Sequence, residues 1–403
     1  MKLMRVVILG GNVAGSNAAE IIKKENPKVE VEIFGEESYF NYSRVKLPAF
    51  LCGRVQEDDL VSCNAQWYQS RKIKFNKSYR ATQILPQEKR VLFENGKETT
   101  YDKLLLCIGS TSNVLPIPVA NRKGLFTLKT LDDALKIQAY AKTKKTAIVI
   151  GGGLLGLEIA KGLTDLKLGV TVLEFFPRLL PRQLDVEGAE MLEQILGDFG
   201  IKVGLKASAK EITGEDDLVV KLADGREFKS DLIVMAAGVK PNIELARKSG
   251  INVNKGILVN NKMETNLADI YAAGDCAEYK GIVWGIIPVA FEQSKVAALN
   301  IMGKDTEYND VVPSNTLKII GVDLTSIGRV TPEEKLPEEL KFVEKEKRIY
   351  KKIVIDGNYL VGAILLGDRA NQTTLMKLIK EKIDISPFKN KILDADFDLN
   401  QYL

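Results

Sequence analysis

Residues 147–163 read AIVIGGGLLGLEIAKGL. Residues 147–150 are apolar without alternation, as a strand buried on both faces of a parallel sheet must be. Gly151, Gly153 and Gly156 follow in GxGxxG spacing and lead into a helix-like run of Leu, Ile and Ala. Each glycine serves a physical purpose, respectively a tight turn, room for backbone to approach a pyrophosphate, and close packing of helix on strand. The free amides and dipole of the helix start then hold phosphates. The run VTVLE at 170–174 reads as the next strand and ends on Glu174. A carboxylate there, about 20 residues beyond the glycines, hydrogen-bonds ribose hydroxyls and repels a 2′-phosphate. The segment is expected to bind a dinucleotide, NADH in preference to NADPH.

The same pattern occurs earlier, as VVILGGNVAGSNAAEII at 6–22. Here Gly10, Asn12 and Gly15 occupy the three positions, with asparagine in the middle. Asparagine tolerates unusual backbone angles, and Gly11 beside it adds freedom. The next strand, VEVEIFG at 29–35, ends on Gly35, so the ribose contact passes to Glu36. Further apolar runs at 104–108, 232–236 and 270–272 read as strands entering small-residue turns. The expected fold class is α/β: two doubly wound, three-layer, Rossmann-like dinucleotide-binding domains and a small C-terminal α+β domain. The boundaries are 1–112 with 243–310 for the first domain, 113–242 for the second and 311–403 for the third. In the last, Asp356-Gly357 signals a hairpin, and the lysine-rich stretch 333–352 reads as a solvated surface.

The chain has 403 residues, enough for more than one core. Apolar residues make up 45% and charged residues 27%, the composition of an ordinary soluble globular protein. A net charge of +4, interspersed with acids, does not suggest nucleic acid binding and modestly favours an acidic protein partner. The apolar run after Lys2 and Arg5 is too short for a signal peptide and reads as a buried strand. No stretch approaches the ~18 apolar residues of a membrane span, so a cytoplasmic location is expected. The cysteines, Cys52, Cys63, Cys107 and Cys276, stand far apart, which disfavours a disulfide scaffold, a metal site and a CxxC redox pair. There is no histidine, so imidazole-dependent catalysis is excluded.

Beyond the two glycine turns, the chain carries YDKLLLCIGS at 101–110, MAAGVKPN at 235–242 and TNLADIYAAGDCAE at 265–278. With these motifs, residues 3–330 resemble the FAD/NAD-linked reductases related to glutathione reductase. The resemblance assigns FAD to the first domain and NADH to the second. It implies that Asp275 of the AGD segment binds the ribityl chain, and that Gly109 and Gly238 lie at the FAD and NAD turns respectively. Ala290 and Gln293, in WGIIPVAFEQSKVAALNIMG at 284–303, resemble the family's helix that points at the flavin pyrimidine end.

Absences narrow the branch. The chain lacks the CxxxxC disulfide and histidine of glutathione-type enzymes and the CxxC of thioredoxin reductases. NADH oxidases and peroxidases use one early cysteine. Aligning Gly53-Arg54-Val55 with that motif places the family cysteine near Val45, so Cys52 reads as a small buried apolar residue. The stretch EESYFNYSRVKLPAFLCG at 36–53 instead resembles the YxRxxL element of NAD(P)H:rubredoxin oxidoreductases and of the flavin module of NADH nitrite reductases. TLKIIGVDLTSIG at 316–328 resembles the start of their C-terminal domain.

This resemblance implies that Arg44 and Lys46 face the FAD pyrophosphate and ring. It also places Glu158 near the nicotinamide, paired with Lys46, and makes rubredoxin the expected electron acceptor. Hydride transfer needs positioning in a dry cleft, with no acid or base. Alternatives are an NADH oxidase or peroxidase, the flavin component of a nitrite reductase and a non-enzymatic NADH-sensing flavoprotein. Monomer and homodimer both remain open.

Overall fold

The computed structural model describes residues 3–120, 123–309, 314–319, 322–330, 338–394 and 397–402. The chain forms two compact units. The first comprises residues 1–46, 55–112 and 239–311, and the second comprises 47–54, 113–238 and 312–403.

In the first unit a five-stranded parallel sheet runs in the order Ile270–Ala272, Lys103–Leu106, Arg5–Leu9, Glu30–Phe34, Ile73–Asn76. Alternate residues of the central strand serve opposite faces. Val6 and Ile8 pack with helices Val13–Glu25 and Ile287–Ile301, whereas Val7 and Leu9 pack with an antiparallel layer of Ala81–Leu85, Arg90–Phe93 and Glu98–Thr100. Val6, Val7 and Ile8 are fully buried, each contributing roughly 1.5–3 kcal/mol of transfer free energy. The apolar N-terminal run is therefore the core strand expected from its sequence.

The second unit repeats the plan. Its parallel sheet has the order Lys202–Gly204, Gly169–Leu173, Thr146–Ile150, Leu232–Met235, Leu125–Thr127. Ile148 and Ile150 pack against an antiparallel layer formed by Ala209–Thr213, Leu218–Leu222 and Glu227–Ser230. Helices Leu131–Ala141 and Leu154–Asp165 pack on the parallel strands. The two antiparallel layers were not anticipated, although each carries a hairpin signal. Asn95-Gly96 and Asp224-Gly225 form turns in which Gly96 and Gly225 have φ of 75° and 88°, and the preceding side chains accept from Lys97 N and Arg226 N, both at 3.1 Å.

The C-terminal region, within the second unit, is a five-stranded antiparallel sheet in the order Ser314–Ile319, Val322–Gly328, Tyr359–Leu366, Ile349–Asp356, Glu338–Glu344. Helix Gln372–Glu381 covers it. The hairpin at Asp356-Gly357 forms, pairing Asp356 with Tyr359. Of the segment 316–328, residues 320 and 321 lie outside the described residues, as do 310–313 around the expected domain boundary and 331–337 of the lysine-rich stretch.

The remainder of the lysine-rich stretch corrects the reading of a solvated surface. Lys352 is buried, with its Nζ 2.6 Å from Glu339 Oε1 and 3.2 Å from Asp185 Oδ2. The buried Tyr350 hydroxyl donates to the same Asp185 oxygen at 2.5 Å. Asp185 caps helix Val186–Asp198, so this cluster joins the C-terminal sheet to the dinucleotide-binding part of its unit.

Two boundaries also differ from the expected ones. Strand Val239–Pro241 pairs antiparallel with Ser110–Ser112, which draws the return into the first unit forward to residue 239. Residues 47–54 belong to the second unit: the Gln138 amide reaches the Leu51 carbonyl at 3.4 Å, and Arg54 pairs with Asp165 at 2.7 Å.

Candidate functional site

Each unit carries its glycine turn at the carboxyl edge of its parallel sheet, where open α/β sheets bind ligands. In the first, Gly10 has φ of 103°, and a Cβ there would sit 2.0 Å from the Cys107 carbonyl oxygen. A Cβ on Gly15 would sit 1.9 Å from Gly10 O. Only glycine fits at either position.

The middle position works differently from the sequence argument. Asn12 has φ of −88°, ordinary extended backbone, and serves as the N-cap, its side chain accepting from Val13 N at 2.9 Å. Gly11 answers a packing demand, since a Cβ would lie 2.3 Å from the Phe75 ring.

Around this turn the first unit gathers most of its expected residues. Gly274, at φ of 82°, faces Ala14, with 3.2 Å between a built Cβ and that methyl, and Ala290 at 3.8 Å. Gly274 N donates to the buried Gln293 Oε1 at 2.9 Å, so Gln293 holds the loop that presents Asp275. Ser110 Oγ donates to Asp275 Oδ2 at 2.9 Å, and Asn242 N to the Gly109 carbonyl at 3.0 Å.

The acidic and basic residues of the 36–46 segment separate. Glu36 is exposed and meets Arg80 at 3.5 Å. Glu37, which the sequence reading passed over, is half-buried, accepting from Tyr42 Oη at 2.6 Å and from Arg44 Nη2 at 2.5 Å. The exposed Lys46 donates from Nζ to the Asp59 carbonyl at 2.8 Å.

In the second unit Gly151 has φ of 118°, and its Cβ would lie 2.4 Å from Ala236 O. A Cβ on Gly156 would lie 1.9 Å from Gly151 O. Gly153 is the N-cap of helix Leu154–Asp165, and the space a Cβ would occupy is open. With no capping side chain, the helix start keeps its backbone donors for an incoming anion. In this it differs from the Asn12 turn, which satisfies one donor itself.

Glu174 is buried beside that turn, its Oε2 accepting from Gly152 N at 2.5 Å and its Oε1 from Phe176 N at 2.9 Å. Gly238, at φ of 89°, follows the neighbouring strand and accepts from Asn113 N at 2.9 Å. Glu158 is half-buried on the helix itself.

The cysteines show no built thiol centre. Burial pushes the Cys276 thiol up to about 11 and Cys107 well above its usual value. Burial also raises Cys63. Cys52 is half-buried, less enclosed than its sequence suggested, and its thiol donates to the Ala49 carbonyl at 3.3 Å.

Two parallel sheets, each with a glycine turn at its carboxyl edge, one backed by an AGD loop and the other by the buried Glu174, have the frame of a two-dinucleotide protein. Both turns suit such groups, because the glycines at 10, 15, 151 and 156 let each turn fold tightly onto its strand and helix, and the space over Gly153 is open. The family model described as pyridine nucleotide-disulphide oxidoreductase matches residues 4–298, and that of the rubredoxin NAD+ reductase C-terminal domain matches 313–383. The chain belongs to the pyridine nucleotide-disulphide oxidoreductase family, which implies binding of FAD and NAD(P)H.

It is 33% identical to the NADH-rubredoxin oxidoreductase of Clostridium acetobutylicum, over 99% of this chain and 100% of that one. The solved structure of NADH:rubredoxin oxidoreductase from the same organism superposes with a TM-score of 0.79 at 30% identity, covering 96% and 97% of the two chains. A nitrite reductase [NAD(P)H] of Bacillus subtilis is 36% identical over 95% of this chain, which spans only 48% of that relative's length. Among the described residues no helix is long and apolar enough to cross a membrane.

Proposed function

We propose that the protein oxidises NADH and passes the electrons singly to a small acidic redox protein, with rubredoxin the first candidate. The carrying observation is the match of residues 313–383 to the rubredoxin NAD+ reductase C-terminal domain, supported by the 33% identity to the clostridial oxidoreductase. Bound FAD supplies the exchange between a two-electron hydride donor and a one-electron carrier.

The chain's own part is positional. Gly10, Asn12, Gly15 and Gly109 admit the FAD backbone, while Asp275, held by Ser110 and presented by the Gln293-anchored loop, accepts from its sugar-chain hydroxyls. Ala290 leaves room beside that loop. Glu36, Arg44 and Lys46 supply the charged contacts proposed for this cofactor, with Arg44 oriented by Glu37. Gly151, Gly153, Gly156 and Gly238 receive NADH, and the buried Glu174 favours it over NADPH by opposing a 2′-phosphate. Lys46 is assigned to the flavin ring and Glu158 to the nicotinamide end.

The raised thiols of the half-buried Cys107 and the buried Cys276 favour this reading over a peroxidatic one. The similarity to nitrite reductase supports one second reading, that the chain serves a separate sirohaem-bearing partner.

Anaerobic stopped-flow reduction by NADH, followed by rubredoxin, ferredoxin, nitrite or oxygen in parallel, tests the proposal. Fast bleaching with fast recovery on rubredoxin alone is expected. Recovery only on oxygen or peroxide would transfer the assignment to an oxidase, and absence of bleaching would end the hydride-transfer reading.

A further inference from the structure

Ser16 and Tyr68 are each 2% exposed, and their hydroxyl oxygens lie 2.7 Å apart beside the first glycine turn. Ser16 belongs to helix Val13–Glu25, whereas Tyr68 comes from the short helix Ala65–Ser70, 52 residues further along the chain. Ser16 Oγ also donates to the Gly11 carbonyl at 2.9 Å. A serine hydroxyl has a single proton, so with that proton on Gly11 O the shorter contact is Tyr68 donating to Ser16. Burial pushes the Tyr68 hydroxyl well above its usual value, which keeps its proton in place. The hydroxyls form a directed chain, from Tyr68 to Ser16 to the Gly11 carbonyl. The tyrosine ring is held apart from this, stacked on Phe40 at 5.4 Å and against Phe75 at 4.7 Å. One turn along the helix from Ser16, Glu20 pairs with Arg71 at 3.2 Å, a second tie between the two helices. A phenylalanine would pack as well at 68, so what the hydroxyl adds is direction.

We infer that Tyr68 is a positioning residue for the FAD diphosphate: through Ser16 it fixes the Gly11–Asn12 peptide so that the Asn12 N–H is presented to the phosphates. This rests on the assignment of FAD to the first glycine turn. The peptide is trans and planar, so its N–H points opposite to its C=O. With the carbonyl drawn to the buried Ser16, the Asn12 N–H is turned away from the core, at the helix start where anions are held. The relay matches what is peculiar to this turn. Asn12 takes Val13 N with its own side chain, which leaves one donor fewer for the cofactor and gives more weight to the orientation of those that remain. The second turn caps nothing at Gly153, and the residue after its third glycine is Leu157, which has no hydroxyl.

The test uses the full-length protein purified with its flavin, as wild type, Tyr68→Phe, Ser16→Ala and the double variant. FAD affinity is read from the rise of flavin fluorescence on dilution, the diphosphate from phosphorus NMR of the bound cofactor, and the ring from its visible absorption. Tyr68→Phe is expected to weaken FAD about 3–10-fold and to shift the phosphorus resonances, with the ring absorption of wild type. Ser16→Ala should do the same, and the double variant should lose no more than Ser16→Ala alone. Wild-type affinity and phosphorus resonances in Tyr68→Phe overturn the relay and leave the FAD reading intact, as do losses that add in the double variant. A changed ring absorption beside the phosphorus shift also overturns it, because that marks a general loosening of the site. Failure of the wild type to retain FAD would remove the FAD reading itself and the relay with it.

Discussion

At Glu174 one carboxylate acts in two ways. Its oxygens tie Gly152 N and Phe176 N together, at 2.5 Å and 2.9 Å, and in the proposed function its charge opposes a 2′-phosphate. Hydrogen bonds to a charged group contribute about 1.5–3 kcal/mol. Glu174→Ala should therefore raise KM for NADH by about tenfold or more and increase the ratio of kcat/KM for NADPH over NADH, measured by steady-state flavin reduction. The glycine turn is as demanding sterically. Gly156→Ala places a methyl 1.9 Å from Gly151 O, so stability should fall by roughly 1–3 kcal/mol in urea unfolding, with dinucleotide binding lost alongside. At the thiols, burial holds Cys276 at about 11 and Cys107 well above its ordinary value. The fully buried Cys276 should stay unmodified by an alkylating reagent at neutral pH and react only on denaturation, as read by mass spectrometry of the peptides.

Between elements, the informative feature is the cap of helix Val186–Asp198. Burial disfavours a charged Asp185, but hydrogen bonds from Tyr350 Oη and Gly188 N, with the charge of Lys352, outweigh it and hold the carboxyl below its usual range. A lowered folded-state value means that this stabilisation is complete above the unfolded value near 3.8 and is lost as pH falls through the folded one. The difference in melting temperature between wild type and Asp185→Asn should accordingly be constant at neutral pH and shrink below about pH 4. Lys352, with only 3% of its side chain exposed, lies between Asp185 and Glu339. Removing it leaves two carboxylates without their cation, so Lys352→Ala should cost about 3–5 kcal/mol in chemical denaturation. The same cluster explains why the lysine-rich stretch could not be read correctly from composition. Lys352 differs from the exposed lysines before it in the carboxylates that folding brings to it, Glu339 from the neighbouring strand and Asp185 from the helix cap.

For the whole molecule, the proposed exchange with an acidic carrier depends on long-range charge. A net charge of +4 should give a bimolecular rate for rubredoxin that declines as ionic strength rises from about 0.01 M to 0.15 M, while reduction by NADH within its own complex changes little. Stopped-flow traces in a salt series separate the two.

The sequence alone determined the two parallel-sheet cores, both glycine turns and the positions of Glu174 and Asp275. These rest on local rules: unbroken apolar strands, residues without a Cβ at close approaches, and an acid at a strand end. It also held the signals for the two antiparallel layers in Asn95-Gly96 and Asp224-Gly225. Tertiary structure alone decided the partners. It placed Glu37 on Arg44 and left Glu36 at the surface, made Asn12 a helix cap, gave Gln293 the Gly274 amide and buried Lys352 against a distant aspartate. The physical reason is common to all of these. Backbone angles and close approaches constrain a residue through its neighbours in sequence, whereas ion pairs and buried hydrogen bonds depend on groups that only folding brings within about 3 Å.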